Sequence, residues 1–227
     1  MFGTKRVLIA SLFTCVALLS SPAHAEESVQ PIESKLDWRK VKVVYTVPNR
    51  DRAIFITIDD GGAQPASFGK WLDENKIPVT NFVMPEMLHL NRNWYRTRKA
   101  MTFENHTNSH AHMTLSALDE QTREVCKANR LINGIVKEQP VLYRPPRGSF
   151  NADTKRAVAS CGIKYIVMWS AMADGGVIRT PGNRPLQAGD IVILHYNDGL
   201  PGSMAHLVAT IKKHGLKPAL LRDYLGQ

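Results

Sequence analysis

No repeat period and no low-complexity tract run through this chain, and no apolar stretch reaches the ~20 residues that a membrane-spanning helix needs. Repeat and membrane-spanning architectures are therefore set aside. Cysteine is scarce, with three in 227 residues, and acidic residues are outnumbered, with 20 Asp and Glu against 29 Lys and Arg. The resulting formal charge of +9 suits polyanionic surroundings such as a cell wall, a membrane surface or nucleic acid. Basic residues are dispersed rather than clustered with stacking aromatics, which argues against a nucleic-acid partner. The His-Glu-x-x-His pattern of zinc proteases is also missing. What remains is ordinary globular material, 44% hydrophobic and 22% charged, enough for a sizeable core. This composition excludes disordered, collagen-like and coiled-coil chains, and the length fits one domain of catalytic size.

Residues 1–25 read as an export signal. Lys5 and Arg6 form a basic start, Val7 to Leu19 an apolar stretch, and Ala23-His24-Ala25 a small-x-small cleavage site. A retained anchor is the alternative reading. Cleavage removes Lys5 and Arg6 and lowers the formal charge from +9 to +7. The mature protein is then expected to be secreted or periplasmic, without stable membrane insertion. Cys15 leaves with the signal, and Cys126 and Cys161 remain in an oxidising compartment. Either one disulfide or two buried thiols fits that pair.

Residues 26–50 are polar and mixed, with Pro31 and Pro48 interrupting regular structure, and read as an N-terminal extension with a short strand around Val41, Val43 and Tyr45. From residue 51 to 227 strand and helix signals alternate. Near-continuous apolar runs recur at Ala53–Ile58, Val79–Val83, Val141–Tyr143, Ile163–Met168 and Ile191–Leu194, with weaker ones at Met101–Glu104 and Leu216–Leu220. Continuous runs suit parallel strands covered on both faces. Helices are expected between them. Phe68, Trp71 and Leu72 share one helical face, and Ser116 with Asp119 forms a capping-box signature ahead of Val125, Ala128, Ile132 and Ile135. Asn151 caps a helix ended by Gly162, and Ala205, Val208 and Ile211 mark the last one before Gly215. The pattern is that of an α/β domain with a largely parallel sheet, open or closed into a barrel.

The polar residues gather where the strands end. Ile58 runs into Asp59-Asp60-Gly61-Gly62, Glu104 into Asn105-His106-Thr107-Asn108-Ser109-His110, Tyr143 into Arg144-Pro145-Pro146-Arg147-Gly148, and Leu194 into His195. Parallel strands share one carboxyl rim, where the loops of α/β proteins build their sites. His106 and His110 stand at i and i+4, which on a helical turn puts both imidazoles on one side. With one carboxylate they offer three ligands for a divalent ion and leave a fourth position open.

These four segments resemble the motifs of the polysaccharide deacetylases that share the NodB homology domain, carbohydrate esterase family four. Thr57-Ile58-Asp59-Asp60-Gly61 is similar to Thr-Phe-Asp-Asp-Gly, His106-Thr107-Asn108-Ser109-His110 to His-Ser/Thr-x-x-His, Arg144-Pro145-Pro146-Arg147-Gly148 to Arg-Pro-Pro-Tyr-Gly, and Ile193-Leu194-His195 to Leu-x-His. They occur in the family's order. The resemblance implies a distorted (β/α) barrel of about seven parallel strands. It also implies a metal held by Asp60, His106 and His110, with Zn2+ first and Co2+ or Mn2+ as alternatives. Asp59 would be the general base, Arg144 would hold Asp59, the Arg147 amide would stabilise the oxyanion, and His195 would protonate the leaving group.

The chain departs from the pattern in three places. The fourth motif, roughly Asp-x-x-Asp-Trp, is replaced by Trp169-Ser170-Ala171-Met172-Ala173-Asp174. Asp174 is the candidate partner for His195 in a shifted register, and Trp169 the candidate wall of an acetyl pocket. Arg147 stands where tyrosine is usual, and only a short stretch, Gly176 to Gly189, precedes the last strand, so the helix expected there is shortened or absent. The expected activity is removal of N-acetyl groups from a polysaccharide, with peptidoglycan, chitin-like polymers and other N-acetylglucosamine glycans as candidates. The alternatives are an O-acetyl esterase acting on a polymer such as xylan, and a catalytically impaired glycan-binding module. His89, His112, His206 and His214 have no motif support as ligands.

Overall fold

The computed structural model describes residues 36–225. The export-signal reading of residues 1–25, and the first part of the extension, lie outside them. No helix among the described residues is long and apolar enough to cross a membrane.

Among the described residues, strands and α-helices follow in the order β1 (Lys42–Val44), β2 (Ala53–Asp60), α1 (Ala66–Glu74), β3 (Val79–Val83), α2 (Pro85–Leu90), α3 (Arg92–Tyr95), β4 (Met101–Asn105), α4 (Leu118–Val136), β5 (Leu142–Tyr143), α5 (Ala152–Ser160), β6 (Tyr165–Val167), β7 (Ala171–Asp174), β8 (Val177–Arg179), β9 (Ile191–His195), α6 (Leu200–Lys213), β10 (Lys217–Ala219) and α7 (Arg222–Leu225). The sheet order is β1-β6-β5-β4-β3-β2-β9-β7-β8, with β10 beside the start of β2. Every strand pair is parallel except β7 with β8.

The two flanks of this sheet are joined by the chain itself. β6 pairs with β5, and after Met168-Trp169-Ser170 the same stretch continues as β7 and pairs with β9. The Ser170 amide donates to the Ile191 carbonyl at 3.0 Å across that junction. The circuit β2-β3-β4-β5-β6-β7-β9 is thus a ring of seven parallel strands, closed by a continuing strand rather than by a lateral pair. This is the distorted barrel that the motifs implied.

Alternation along β2 explains the core. Ile54, Ile56 and Ile58 pack outward with Phe68, Leu72, Ala128, Ile132 and Leu207 of the helices. Phe55 faces the other way and joins Phe82, Leu142, Val167 and Ile191 inside the ring, closed below by Leu221 and Leu225. Continuing along that inner face, Thr57 and Asp59 follow Phe55, so the interior changes from apolar to polar toward the carboxyl rim. The registers level that rim: Asp60 lies opposite Val83, Val83 opposite Asn105, Asn105 opposite Tyr143, and Asp59 opposite His195.

Several local expectations need correction. The helix α4 is capped by Ala117 without a side-chain bond, not by Ser116; the Gln121 side chain donates instead to the Ser116 carbonyl at 2.9 Å. The buried face of α6 is Leu200, Met204, Leu207 and Ile211. Ala205 is exposed and Val208 half-buried, because the helix begins at Leu200 and turns a different stripe inward. Asn151 does cap α5, in a reciprocal box with Thr154. No α-helix occupies the stretch before β9; the β7–β8 hairpin and a short turn at Pro181–Asn183 take its place, pinned by Arg184 Nη2 on the buried Asp190 at 2.6 Å. The described part of the extension is built into the domain, since β1 pairs with β6 and Val41 and Val47 are buried. Of the two readings left open for Cys126 and Cys161, the structure has the disulfide, which ties α4 to the C-cap of α5.

Candidate metal centre

β2 ends by turning sharply at Asp60 (φ 77°) and Gly61 (φ 88°). A side chain at Gly61 would meet Met87 Cβ at 3.2 Å, so the left-handed bend and the close approach both require glycine there. Tyr95, at the end of α3, fixes the next residue: its hydroxyl donates to the Gly62 carbonyl at 3.0 Å and accepts from the Gly62 amide at 2.8 Å. Burial pushes the Tyr95 hydroxyl up to about 12, keeping it a donor.

The two histidines do converge, but not on a helical turn. Residues 106–110 form a loop in which Thr107 (φ 68°) and His110 (φ 60°) are left-handed. Asn105 opens it, accepting from the Thr107 amide at 2.8 Å while its own amide nitrogen donates to the Val125 carbonyl at 2.8 Å and to Asn129 Oδ1. Glu124 of α4 closes it. One carboxylate oxygen accepts from the Asn108 and Ser109 amides at 3.0 and 2.9 Å, and the other from Ser109 Oγ at 2.9 Å. Four of the eight non-glycine residues with positive φ among the described residues lie in these site loops: Asp60, Thr107, His110 and Arg147. Each costs roughly 1–3 kcal/mol, a concentration of strain that marks functional geometry.

Asp60 Oδ1 stands 3.5 Å from His106 Nε2 and 3.4 Å from His110 Nε2. The other ring nitrogen of His106, Nδ1, lies 2.8 Å from the Arg144 carbonyl, which can only accept. Nδ1 therefore carries the proton in the neutral ring, and the Nε2 lone pair points toward Asp60. An acceptor faces an acceptor. Asp60 Oδ1 is buried and has no hydrogen-bond partner among the described residues. Such a pair calls for a cation between its members. Ligand separations near 3.4 Å are what bond lengths of about 2.0–2.1 Å produce around a tetrahedral ion. The residues present thus fit a divalent metal: one carboxylate, two imidazoles, ligand atoms all within 4.8 Å of one another. Burial pushes Asp60 up; when the neighbouring imidazoles carry a second proton, His106 first, they outweigh that and hold Asp60 below the ordinary carboxylate value.

Asp59 points into the barrel beside this triad. Arg144, fully buried, donates from Nη1 to Asp59 Oδ1 at 2.7 Å and to Thr57 Oγ1 at 2.8 Å. Nε and Nη2 donate to the Val167 and Met168 carbonyls at 3.1 and 3.0 Å, and Cζ lies 4.2 Å from the centroid of the Phe82 ring. Every direction of the guanidinium is fixed, so Asp59 can turn only its other oxygen, 3.9 Å from His106 Nε2, toward the triad. A cavity of about 240 Å3 opens above, lined by both aspartates, both histidines, Arg147, Gly148, Trp169, Met172, Ile193 and His195. Gly148 (φ 66°) is pressed against Trp169, where a Cβ would sit 2.9 Å from the ring. Trp169 does line this cavity. Asp174 does not orient His195: it lies on the exposed β7–β8 hairpin and makes no hydrogen bond or ion pair with that imidazole. His195 itself is exposed at the end of β9 and lines the same cavity. The Arg147 guanidinium reaches back only to the His110 carbonyl at 3.4 Å.

The polysaccharide deacetylase family model matches residues 46–166, which carry the Asp-Asp turn, the histidine loop and the Arg144–Gly148 segment. This chain belongs to the polysaccharide deacetylase family. An uncharacterized protein of Streptomyces coelicolor is 30% identical over 96% of this chain and 92% of its own length. The peptidoglycan-N-acetylglucosamine deacetylase of Bacillus cereus is 27% identical over 81% of this chain and 92% of its own. A solved peptidoglycan N-acetylglucosamine deacetylase in complex with an N-oxidanyl-benzamide superposes with a TM-score of 0.72 at 19% identity, over 83% of this chain and 95% of that one. In this member of the family, Glu124, Tyr95, Thr57 and the Asn105–Asn129 pair are residues of the candidate site that sequence reasoning missed. Only Thr57 and Asn105 had a signal, as the residues flanking two motifs; Glu124, Tyr95 and Asn129 reach the site from other elements.

Proposed function

We propose that the protein is an exported, divalent-metal-dependent hydrolase that removes N-acetyl groups from an N-acetylglucosamine-containing polysaccharide, peptidoglycan or a chitin-like glycan. The observation that carries this reading is the convergence of the Asp60, His106 and His110 ligand atoms within 4.8 Å of one another, with Asp59, held by Arg144, and His195 lining the same small cavity. Family membership and a curated peptidoglycan deacetylase relative support the same class. The basic, apolar and cleavage-site pattern of residues 1–25 supports export.

Zn2+ suits a carboxylate and two imidazoles, with Co2+ and Mn2+ as alternatives; bound there, the ion supplies Lewis acidity that lowers the pKa of water toward about 7 and polarises a carbonyl. The chain's own groups do the rest. Asp59 receives the proton of the attacking water on the oxygen that Arg144 leaves free. The backbone amide of Arg147 donates to the carbonyl oxygen as it gains charge. His195 then gives a proton to the amide nitrogen as the C–N bond breaks, so the products are acetate and a free amine. Trp169 and Met172 form the apolar wall for the acetyl methyl, and the volume is suited to that group rather than to a buried chain, so the polymer crosses the mouth. The test is acetate release from a panel of N-acetylated and O-acetylated glycans, with and without a chelator. Turnover of N-acetyl substrates, lost on chelation and in Asp59→Asn, is expected. Release from O-acetyl substrates alone, or none from any, would overturn the reading.

A further inference from the structure

A second cavity, of about 790 Å3, is over three times the volume of the one above the triad and shares no residue with it. It lies outside β4, between α2–α3 and the last turns of α4. Its apolar lining comes from Met101, Phe103, Leu88 and Ile135. Its charged lining is lopsided: Arg92, Arg96, Arg98 and Lys99 against one carboxylate, Glu138.

The charges that could neutralise one another are already engaged. Arg98 is ion-paired with Asp73 and stacked on Trp94 at 5.1 Å. Glu138 receives Arg222 at 3.1 Å. That leaves Arg92, Arg96 and Lys99, all exposed, whose side chains make no hydrogen bond or ion pair with any described residue. Arg92 opens α3 and Arg96, four positions on, is its C-cap, a spacing at which like charges repel. Three unanswered cations around a concave, partly apolar space are a poor arrangement for an empty surface. They are a good one for a ligand that brings negative charge and sugar-like flat faces.

We propose that this cavity is a second binding site, separate from the metal centre, for an acidic polysaccharide whose phosphodiester or carboxylate groups lie against Arg92, Arg96 and Lys99. Guanidinium forks match both oxyanions, and the apolar floor takes the ring faces between them. The site would hold the enzyme on an anionic polymer while the small cavity works on acetyl groups. It also touches the chemistry, because Tyr95 lines this cavity and its hydroxyl fixes Gly62, next to the Asp59–Asp60 turn.

The experiment is a binding titration of the full chain, at physiological ionic strength, with a phosphodiester-bearing phosphomannan, an oligogalacturonate, a neutral N-acetylglucosamine oligomer and a single-stranded DNA oligomer of matched charge. One or both acidic glycans should bind, the two arms identifying which oxyanion is preferred. Arg92→Ala/Arg96→Ala/Lys99→Ala should weaken that binding by about tenfold or more. Arg92→Lys/Arg96→Lys should keep part of it, and acetate release from a short neutral oligomer should stay as in the unaltered protein. Equal affinity in the triple variant, no binding of either acidic glycan, or equally tight binding of the DNA would overturn the proposal.

Discussion

Glu124→Ala removes a side chain that touches neither the proposed metal nor the proposed substrate, yet it should loosen the metal. The carboxylate accepts three hydrogen bonds, from the Asn108 and Ser109 amides and from Ser109 Oγ, all in the loop between His106 and His110. Hydrogen bonds to a charged group are worth about 1.5–3 kcal/mol each when enclosed. Asn108 is half-buried and Ser109 exposed, so water replaces much of this and the fold should lose only about 1 kcal/mol. The other side-chain bonds to the loop, Asn105 to the Thr107 amide and Arg147 to the His110 carbonyl, lie at its two ends, so Asn108 and Ser109 between them lose their only clamp and the left-handed residues Thr107 and His110 can relax. Loss of a partner that orients a metal ligand typically weakens affinity 10- to 100-fold, or ~1.4–2.7 kcal/mol. Competition against a chromophoric chelator on the metal-free protein measures it, with calorimetry reporting the fold. Glu124→Gln, which keeps an acceptor at the same place, should fall between. Affinity for metal within twofold of the unaltered protein in Glu124→Ala would refute the reasoning.

Three further outcomes follow from the same geometry. Arg144→Met leaves Asp59 buried without its cation and should destabilise the protein by about 3–5 kcal/mol in denaturant titration; a loss below about 1 kcal/mol would contradict the pairing. Tyr95→Phe removes both bonds to Gly62 and should cost roughly 1–3 kcal/mol, with lower acetate release at saturating substrate, because the Asp59–Asp60 turn loses its anchor. Cys126→Ala/Cys161→Ala opens a 35-residue loop and should lower stability by about 3–4 kcal/mol, while reducing agent should leave that variant's melting temperature unchanged.

Much of this molecule was legible because parallel strands put their carboxyl ends on one rim. Once the runs at Ala53–Ile58, Met101–Glu104, Val141–Tyr143 and Ile191–Leu194 are strands, the residues that follow them have to be neighbours. The registers from Asp60 through Val83 and Asn105 to Tyr143 are the structural form of that inference. The illegible parts depend on backbone angles and long-range contacts. The i, i+4 spacing of His106 and His110 looks helical, but left-handed residues without glycine leave no trace in sequence. Glu124 sits on a helix whose visible pattern is its apolar stripe, and nothing distinguishes it from a solvated charge. Ser116 had the form of a cap, yet the helix begins at Leu118 with Ala117 as its N-cap. Asp174 stood at a plausible distance along the chain from Trp169, but the β7–β8 hairpin that replaces a helix carries it outward. The closing of the ring through Met168–Ser170 is likewise a tertiary fact, since a strand that changes partners reads as one apolar run.

The most direct measurement is metal stoichiometry on the purified, chelator-stripped chain titrated with Zn2+, alongside Asp60→Ala, His106→Ala and His110→Ala. One ion per chain is predicted, with binding lost in each variant and acetate release returning only as the site fills. Full acetate release from the stripped protein, or unaltered binding in Asp60→Ala, would contradict the account.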